Sequence, residues 1–307
     1  MRALLVVNTY ATTTTEALSE VIVAALRSRL ELTVEHTSQR GHAQELAQQA
    51  AHENFDVVLA LGGDGTVNEI ANGLMTCDDV LRRPLLGIIP GGNANVFVRN
   101  LGYPADPVEA TRQVLAAIDR TSVTPIGLGR VKADDIDRYF LFNAGFGADA
   151  AVLSRMEQHR SGTRKASDAR YALYAAQELF SRLDRKKPHI KIPDLSIEAF
   201  FAMVVNFSPW TYLGARALNP QPAAAQDTQL TVYAPTRLRI SDIMRLARTV
   251  IAGGDLAALD GVVTAHDTDA VHMRADVPTW LQVDGEALGT VQLAHFSHVP
   301  NALRVLA

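Results

Sequence analysis

Hydrophobic and polar positions follow one pattern in the first 120 residues of the chain. Short apolar runs at 3–7, 32–36, 56–61 and 85–89 predict buried strands, and amphipathic stretches between them predict helices. The predicted helices cover 16–30, 41–53, 67–74, 94–100 and 106–120. Strands that alternate with helices favour an α/β domain with a doubly wound parallel sheet.

From residue 122 onward the pattern changes to strands in succession. Predicted strands cover 122–132, 139–145, 197–207, 229–234, 261–265, 270–274, 280–284 and 291–295. Predicted helices cover 148–159, 168–187 and 241–252. We therefore expect an α/β domain over 1–121, a mainly antiparallel β domain over 122–296, and a tail over 297–307 that could return to the first domain.

Composition excludes several classes of protein. The chain has 307 residues, 48% of them hydrophobic, a net charge of −4 and one cysteine, Cys77. It is too apolar for a disordered chain, and one cysteine excludes a disulfide scaffold or a cysteine-rich zinc module. The acidic net charge argues against nucleic acid as a partner. With no membrane-length apolar run and no secretory leader, we expect a cytoplasmic protein.

Two glycine-rich turns carry the clearest chemical signal. The segment Gly62-Gly63-Asp64-Gly65-Thr66 follows the third predicted strand, and Pro90-Gly91-Gly92 follows the fourth. Glycine backbone beside a helix N-terminus can bind phosphate, and Asp64 could hold Mg²⁺ or orient a nucleophile. A ligand-free tight turn is the structural alternative. The chain has neither a P-loop nor a G-x-G-x-x-G motif, so phosphate would be held in another way.

The segment 62–69 resembles the signature of the diacylglycerol kinase catalytic domain, a family that includes bacterial lipid kinases and sphingosine kinases. Related loops occur in NAD kinases and phosphofructokinases. Further family-like segments lie, in the expected order, at 8–12, 90–99, 143–150, 283–286 and 300–306. The resemblance therefore covers nearly the whole chain, and it implies an ATP-dependent lipid kinase whose active site lies in a cleft between two domains.

The resemblance also implies roles for individual residues. Glu286 would accept the proton of the lipid hydroxyl, Asp64 and Asp284 would act around Mg²⁺ and the phosphates, and Asp149 would face the lipid headgroup. Asp64 is itself an alternative proton acceptor. The residues expected to contact ATP are Asn8, Thr12, Thr37, Gly62, Gly63, Asp64, Gly65, Thr66, Val67, Asn68 and Asn93.

The chain departs from the family pattern where carboxylates are usual. Val96, Gly127 and Thr231 stand at three such positions, and Asp227 alone remains of the segment that binds a structural Mg²⁺. Hard cations need several oxygen ligands, so these losses weaken Mg²⁺ binding at Asp227.

A lipid substrate would require contact with a membrane surface. Residues 155–191 carry ten lysines or arginines against four acids, which suits peripheral docking on anionic lipid, although a solvated helix pair would look the same. Two other functions stay open: a NAD kinase, and a catalytically inactive protein that binds lipid or nucleotide. A homodimer is also left open.

Overall fold

The computed structural model describes residues 1–9, 15–92, 95–147, 188–209, 211–213, 216–219, 224 and 228–307. Thr12, Asn93, Asp149 and Asp227 lie outside the described residues, as do the helices expected between 148 and 187. The chain divides into two compact units. The first comprises 1–128 with 300–307, and the second comprises 129–299.

The first unit is built around a parallel sheet. Its elements are β1 (Arg2–Val7), α1 (Glu16–Arg27), β2 (Glu31–His36), α2 (His42–His52), β3 (Val57–Gly62), α3 (Asp64–Leu74), β4 (Leu85–Pro90), α4 (Val96–Asn100), α5 (Pro107–Arg120) and the start of β5 (Val123–Ala133). Strands lie in the order β4-β3-β1-β2, all parallel. All six residues of β3 are buried, as their continuous apolar run predicts.

The second unit is mainly antiparallel. After β5 it contains β6 (Ile136–Phe140), β7 (Asn143–Phe146), β8 (Ile190–Ile192), β9 (Ile197–Ala199), β10 (Ala202–Val205), β11 (Thr211–Leu213), β12 (Arg216–Leu218), β13 (Leu230–Pro235), α6 (Ile240–Ala252), β14 (Val262–Thr268), β15 (Ala270–Val283) and β16 (Glu286–Leu306). Its principal strand order is β14-β13-β10-β7-β15-β16. The predicted fold class, an α/β region followed by a mainly antiparallel β region, is confirmed.

The last strand, β16, contributes its final residues to the first unit. Val305 pairs in parallel with Leu86 of β4, and Pro300–Ala307 belongs to that unit. The guanidinium of Arg304 donates to the carbonyl oxygen of Arg83 over 2.7 Å, and that of Arg83 donates to the carbonyl oxygen of Ala302. The first unit therefore includes a strand from the far end of the chain.

Several element boundaries differ from the sequence prediction. The strand predicted over 197–207 is two strands, β9 and β10, and the strand predicted over 291–295 is part of the longer β16. Helix α3 begins at Asp64 rather than at 67, so most of the expected loop is the first helical turn. The strand predicted over 139–145 is two strands, β6 and β7. The strands predicted at 270–274 and 280–284 are one strand, β15, whose pairing with β16 is irregular between Arg274 and Thr279.

Candidate active site

The two glycine turns lie against each other at the carboxyl ends of β3 and β4. Gly62 pairs with Pro90, and the Gly91 N–H donates to the Gly62 carbonyl oxygen over 2.8 Å. A Cβ atom on Gly92 would lie 2.8 Å from the Cα of Gly63, which is closer than side chains tolerate. The close approach of the two turns therefore requires glycine at position 92.

Asp64 links the first glycine turn to the start of α4 through its side chain. As the first residue of α3, it accepts the Val96 N–H over 3.0 Å and the Phe97 N–H over 3.1 Å, at the start of α4. The first N–H groups of a helix point out of its N-terminus, so the Asp64 carboxylate caps α4. Burial raises the pKa of Asp64 above its usual value, while the N–H donors of Phe97 and Val96 act in the opposite direction.

The side chains after Asp64 point into the protein. Thr66, Val67 and Asn68 are all buried. The Asn8 amide donates to the Thr66 hydroxyl over 2.8 Å, and the Asn68 amide oxygen accepts from the Asn72 amide over 3.1 Å. In this segment, Gly63, Asp64 and Gly65 retain exposed surface, so a ligand would meet mainly backbone and one carboxylate.

Asn8 and Thr37 extend the same edge of the sheet beyond β1 and β2. The Asn8 N–H donates to the Leu61 carbonyl oxygen and the Thr37 N–H to the Val7 carbonyl oxygen, each over 2.9 Å. Thr37 is buried, with 8% of its surface exposed. The structure thus brings Asn8 and residues 62–68 together, while the buried Thr37 follows the edge strand β2.

This arrangement can bind phosphate. Three glycines give close backbone approach, and the 11-residue helix α3 presents the positive end of its dipole. Because the side chains of Thr66 and Asn68 are buried, the N–H groups of the turn are the donors that phosphate oxygens would use.

Asp284 has a similar capping role in the second unit. It lies in the turn between β15 and β16 with φ +47°, and its carboxylate accepts three backbone N–H groups. Leu141 donates over 2.7 Å, Phe142 over 2.8 Å and Asn143 over 3.1 Å. These bonds hold the connection between β6 and β7, and they account for the break in the strand predicted over 139–145.

Glu286 follows this turn as the first residue of β16. Its Oε2 lies 3.3 Å from Nη2 of Arg138 on β6, and the two side chains are 31% and 20% exposed respectively. A half-buried carboxylate held by a guanidinium and still open to solvent can accept a proton from a bound hydroxyl. Asp64 belongs to the first unit, whereas Asp284 and Glu286 belong to the second.

Sequence reasoning missed three residues that shape these clusters. Glu69 accepts the N–H groups of Gly41 and Ala43 and so caps α2 from α3. Asn95 has φ +45°, and its side chain bonds both the N–H and the carbonyl oxygen of Gly92. Arg138 lies in no sequence motif that would mark it as a functional residue. An asparagine three residues beyond a glycine pair is a signal for the left-handed backbone at Asn95, whereas nothing local predicts the partners of Glu69 and Arg138.

The described carboxylates do not fit a metal centre formed by the protein alone. Within the part of the chain that the structure describes, no three His, Cys, Asp or Glu side chains are grouped to hold a metal ion. Both oxygens of Asp64 and both of Asp284 already accept backbone N–H groups. Asp227, where the sequence predicts weakened binding of a structural Mg²⁺, lies outside the described residues.

No helix among the described residues is long and apolar enough to cross a membrane.

Known proteins resemble the chain in sequence. A probable YegS-like lipid kinase of Xanthomonas campestris pv. campestris is 28% identical over 277 residues, which is 89% of this chain and 86% of that protein. The diacylglycerol kinase of Bacillus subtilis is 37% identical over 131 residues, 42% of this chain and 40% of that protein.

Solved structures share the fold. A diacylglycerol kinase from Bacillus anthracis has a TM-score of 0.70 at 22% identity, covering 99% of this chain and 96% of that one. An NAD kinase from Archaeoglobus fulgidus in complex with ATP has a TM-score of 0.52 at 15% identity, covering 100% and 94%. At these identities the likeness concerns the fold alone. The family model of the diacylglycerol kinase catalytic domain matches residues 2–130, the part of the chain that carries both glycine turns.

Proposed function

We propose that the protein is a lipid kinase that transfers the γ-phosphate of ATP to a hydroxyl group of a diacylglycerol-like or sphingoid lipid. The observation that carries the proposal is the pair of packed glycine turns at the N-terminus of α3, within the residues that match the diacylglycerol kinase model. The names of the relatives, a probable lipid kinase and a diacylglycerol kinase, support the same reaction class.

In this proposal the first unit binds the nucleotide. Backbone N–H groups of residues 62–65 hold the phosphates, and ATP arrives as its Mg²⁺ complex, so the cation enters as part of the substrate. Asp64 acts by fixing the start of α4, the helix that follows the second glycine turn, through its bonds to Val96 and Phe97. The predicted contacts of Thr12 and Asn93 remain predictions.

Glu286 is the proposed proton acceptor. The lipid hydroxyl oxygen forms a bond to the γ-phosphorus, the bond from that phosphorus to the bridging oxygen of ADP breaks, and the hydroxyl proton passes to Glu286. Arg138 holds the Glu286 carboxylate, and Asp284 fixes the turn that carries it. The predicted headgroup contact of Asp149 remains a prediction.

A screen of acceptors tests the proposal. Purified protein is incubated with Mg²⁺, labelled ATP and, in separate reactions, diacylglycerol, ceramide, sphingosine, polyprenol and NAD. We expect label in at least one lipid. Label in NAD alone would favour the NAD kinase, whose fold the chain shares. Lipid binding without any transfer would favour an inactive binding protein.

The variant Glu286→Gln tests the proton acceptor. An amide cannot take up the proton, so we expect turnover to fall by about 10²- to 10⁴-fold while ATP still binds. Initial rates and equilibrium nucleotide binding would measure the two effects. Glu198→Gln, at an exposed position of the second unit, is the matched control and should behave as wild type. Near-normal turnover in Glu286→Gln would remove Glu286 from this role.

A kinase of this kind would act as a peripheral membrane protein, because its acceptor resides in a bilayer. The basic stretch predicted to dock lies mostly outside the described residues. Lys191, its last member, is 3.4 Å from Asp276 in an exposed ion pair, so its charge is partly offset.

A further inference from the structure

Helix α6 packs one face onto the sheet of the second unit. Ile243 and Leu246 are buried, and Leu246 belongs to an apolar cluster with Phe201, Met203 and Tyr233. Asp242, the only acid in the helix, is buried too, and its carboxylate accepts from the Arg237 guanidinium over 3.1 Å. The inner face is therefore filled, and it holds the only negative charge of the helix.

The outer face of α6 exposes two large apolar side chains. Ile240 is 59% exposed and Met244 is 62% exposed. Because they are four residues apart, they lie one turn apart on the same side of the helix. A single exposed apolar residue needs no explanation. Ile240 and Met244, however, form a second apolar surface on a helix whose other apolar face is already buried.

The same outer face is positively charged. Arg245 and Arg248 are exposed, and residues 237–248 contain four arginines against one aspartate in a chain of net charge −4. Among the described residues, no carboxylate lies within ion-pair distance of Arg245 or Arg248. Their charges are thus available to a negatively charged partner.

We propose that the outer face of α6, formed by Ile240, Met244, Arg245 and Arg248, docks the protein on an anionic lipid bilayer. Arginines on an amphipathic helix attract acidic headgroups, and apolar side chains between them can enter the headgroup boundary. A second copy of this chain is a poor occupant, since a symmetric contact would place the arginines of the two copies together. The proposal rests on the proposed function in that a lipid kinase must reach its acceptor at a bilayer.

Vesicle sedimentation tests the proposal without any need for turnover. The full chain is sedimented with sucrose-loaded vesicles of phosphatidylcholine alone, and with vesicles of phosphatidylcholine and phosphatidylglycerol in equal amounts. We expect binding to the mixed vesicles only, weakening as salt is added. Each arginine should contribute about five-fold to the partition coefficient, so Arg245→Glu with Arg248→Glu should reduce it by at least about 25-fold.

Two further variants separate the contributions of charge and apolar surface. Arg112→Glu with Arg120→Glu makes the same charge change at exposed positions of α5 and should bind as wild type. Ile240→Ser with Met244→Ser should weaken binding with the charge unchanged. Thermal unfolding would show that each variant folds.

Several results would overturn the proposal. They are equal sedimentation of wild type with both kinds of vesicle, equal losses in the α5 and α6 charge variants, or loss of self-association rather than of vesicle binding in the α6 variants. Absence of kinase activity alongside normal vesicle binding would contradict the proposed function and leave the docking face standing.

Discussion

Asp64 and Asp284 have the same structural role, because each carboxylate accepts backbone N–H groups within its own unit. Asp64 accepts two backbone N–H groups at the start of α4, and Asp284 accepts three in the connection from β6 to β7. Hydrogen bonds to a charged group are worth about 1.5–3 kcal/mol each, so either carboxylate can fix a segment that lies far from it in sequence. The family resemblance implies that these residues act around Mg²⁺ and the phosphates. Their hydrogen bonds show that each also holds a backbone segment in place.

Arg138 offers a test of how Glu286 is held. Arg138→Met removes the guanidinium that lies 3.3 Å from Glu286. We expect kcat to fall by about ten- to hundred-fold, because the carboxylate loses its fixed orientation, with the KM for ATP unchanged. Arg138→Lys should recover part of the rate. Steady-state kinetics would measure both constants, and a rise in KM with unchanged kcat would contradict this role.

A histidine pair should make folding stability depend on pH. The rings of His272 and His295 stack with centroids 4.4 Å apart, and the pKa of His295 is lowered by burial and by the neighbouring His272. The folded state therefore favours neutral His295, while the unfolded chain takes up a proton near pH 6.5. The resulting stability is present above about pH 6.5 and is lost as the pH falls through the folded-state pKa.

His295→Gln should flatten this dependence. Urea midpoints at about pH 8 and about pH 5 should differ less in the variant than in wild type. His298, whose pKa burial also lowers, should retain part of the slope. An unaltered slope in His295→Gln would contradict the assignment.

At the scale of elements, α2 and α3 are joined by one carboxylate. Glu69 of α3 accepts the N–H groups of Gly41 and Ala43 over 2.9 and 3.2 Å, at the N-terminus of α2. Since α3 begins at the first glycine turn, this contact also helps to hold the proposed phosphate site.

Glu69→Ala should therefore lower the free energy of unfolding by about 1–3 kcal/mol, because two N–H groups lose their acceptor. Urea denaturation would measure the change. Glu45→Ala, at an exposed position in the first turn of α2, should change stability by less than about 0.5 kcal/mol. Equal effects of the two substitutions would show that the cap contributes little.

The local pattern of hydrophobic and polar residues predicts the central residues of each helix or strand better than its ends. The apolar run 56–61 and the capping pair Asp106 and Pro107 predict β3 and α5 almost to the residue. The start of α3 is missed because its glycines suggest a loop, and the break after β6 is missed because its cause, Asp284, is remote in sequence. The motif identified the turn at 62–66, but the burial of Thr66 and Asn68 depends on the helical register that follows.

At the scale of the whole molecule, the first unit is not contiguous in sequence. The family match ends at residue 130, yet Leu303, Val305 and Leu306 are almost fully buried in this unit. A fragment of residues 1–130 would lack them and expose the edge of β4. We expect this fragment to aggregate, or to unfold well below the melting temperature of the full chain, since each lost large side chain costs about 2–5 kcal/mol. Circular dichroism melting would measure this, and a cooperative transition at the full-chain temperature would contradict it.

The pairing of β16 with β4 also delays completion of the first unit during biosynthesis. Arg83 and Ala302, which bond across this contact, are 219 residues apart. At about 5–20 residues per second, a ribosome needs on the order of ten to forty seconds to make the chain between them. During that interval β4 is an unpaired apolar edge, the kind of surface that chaperones bind and that aggregates when left uncovered. The first unit is thus the first to be synthesised and can be completed only when the last residues emerge.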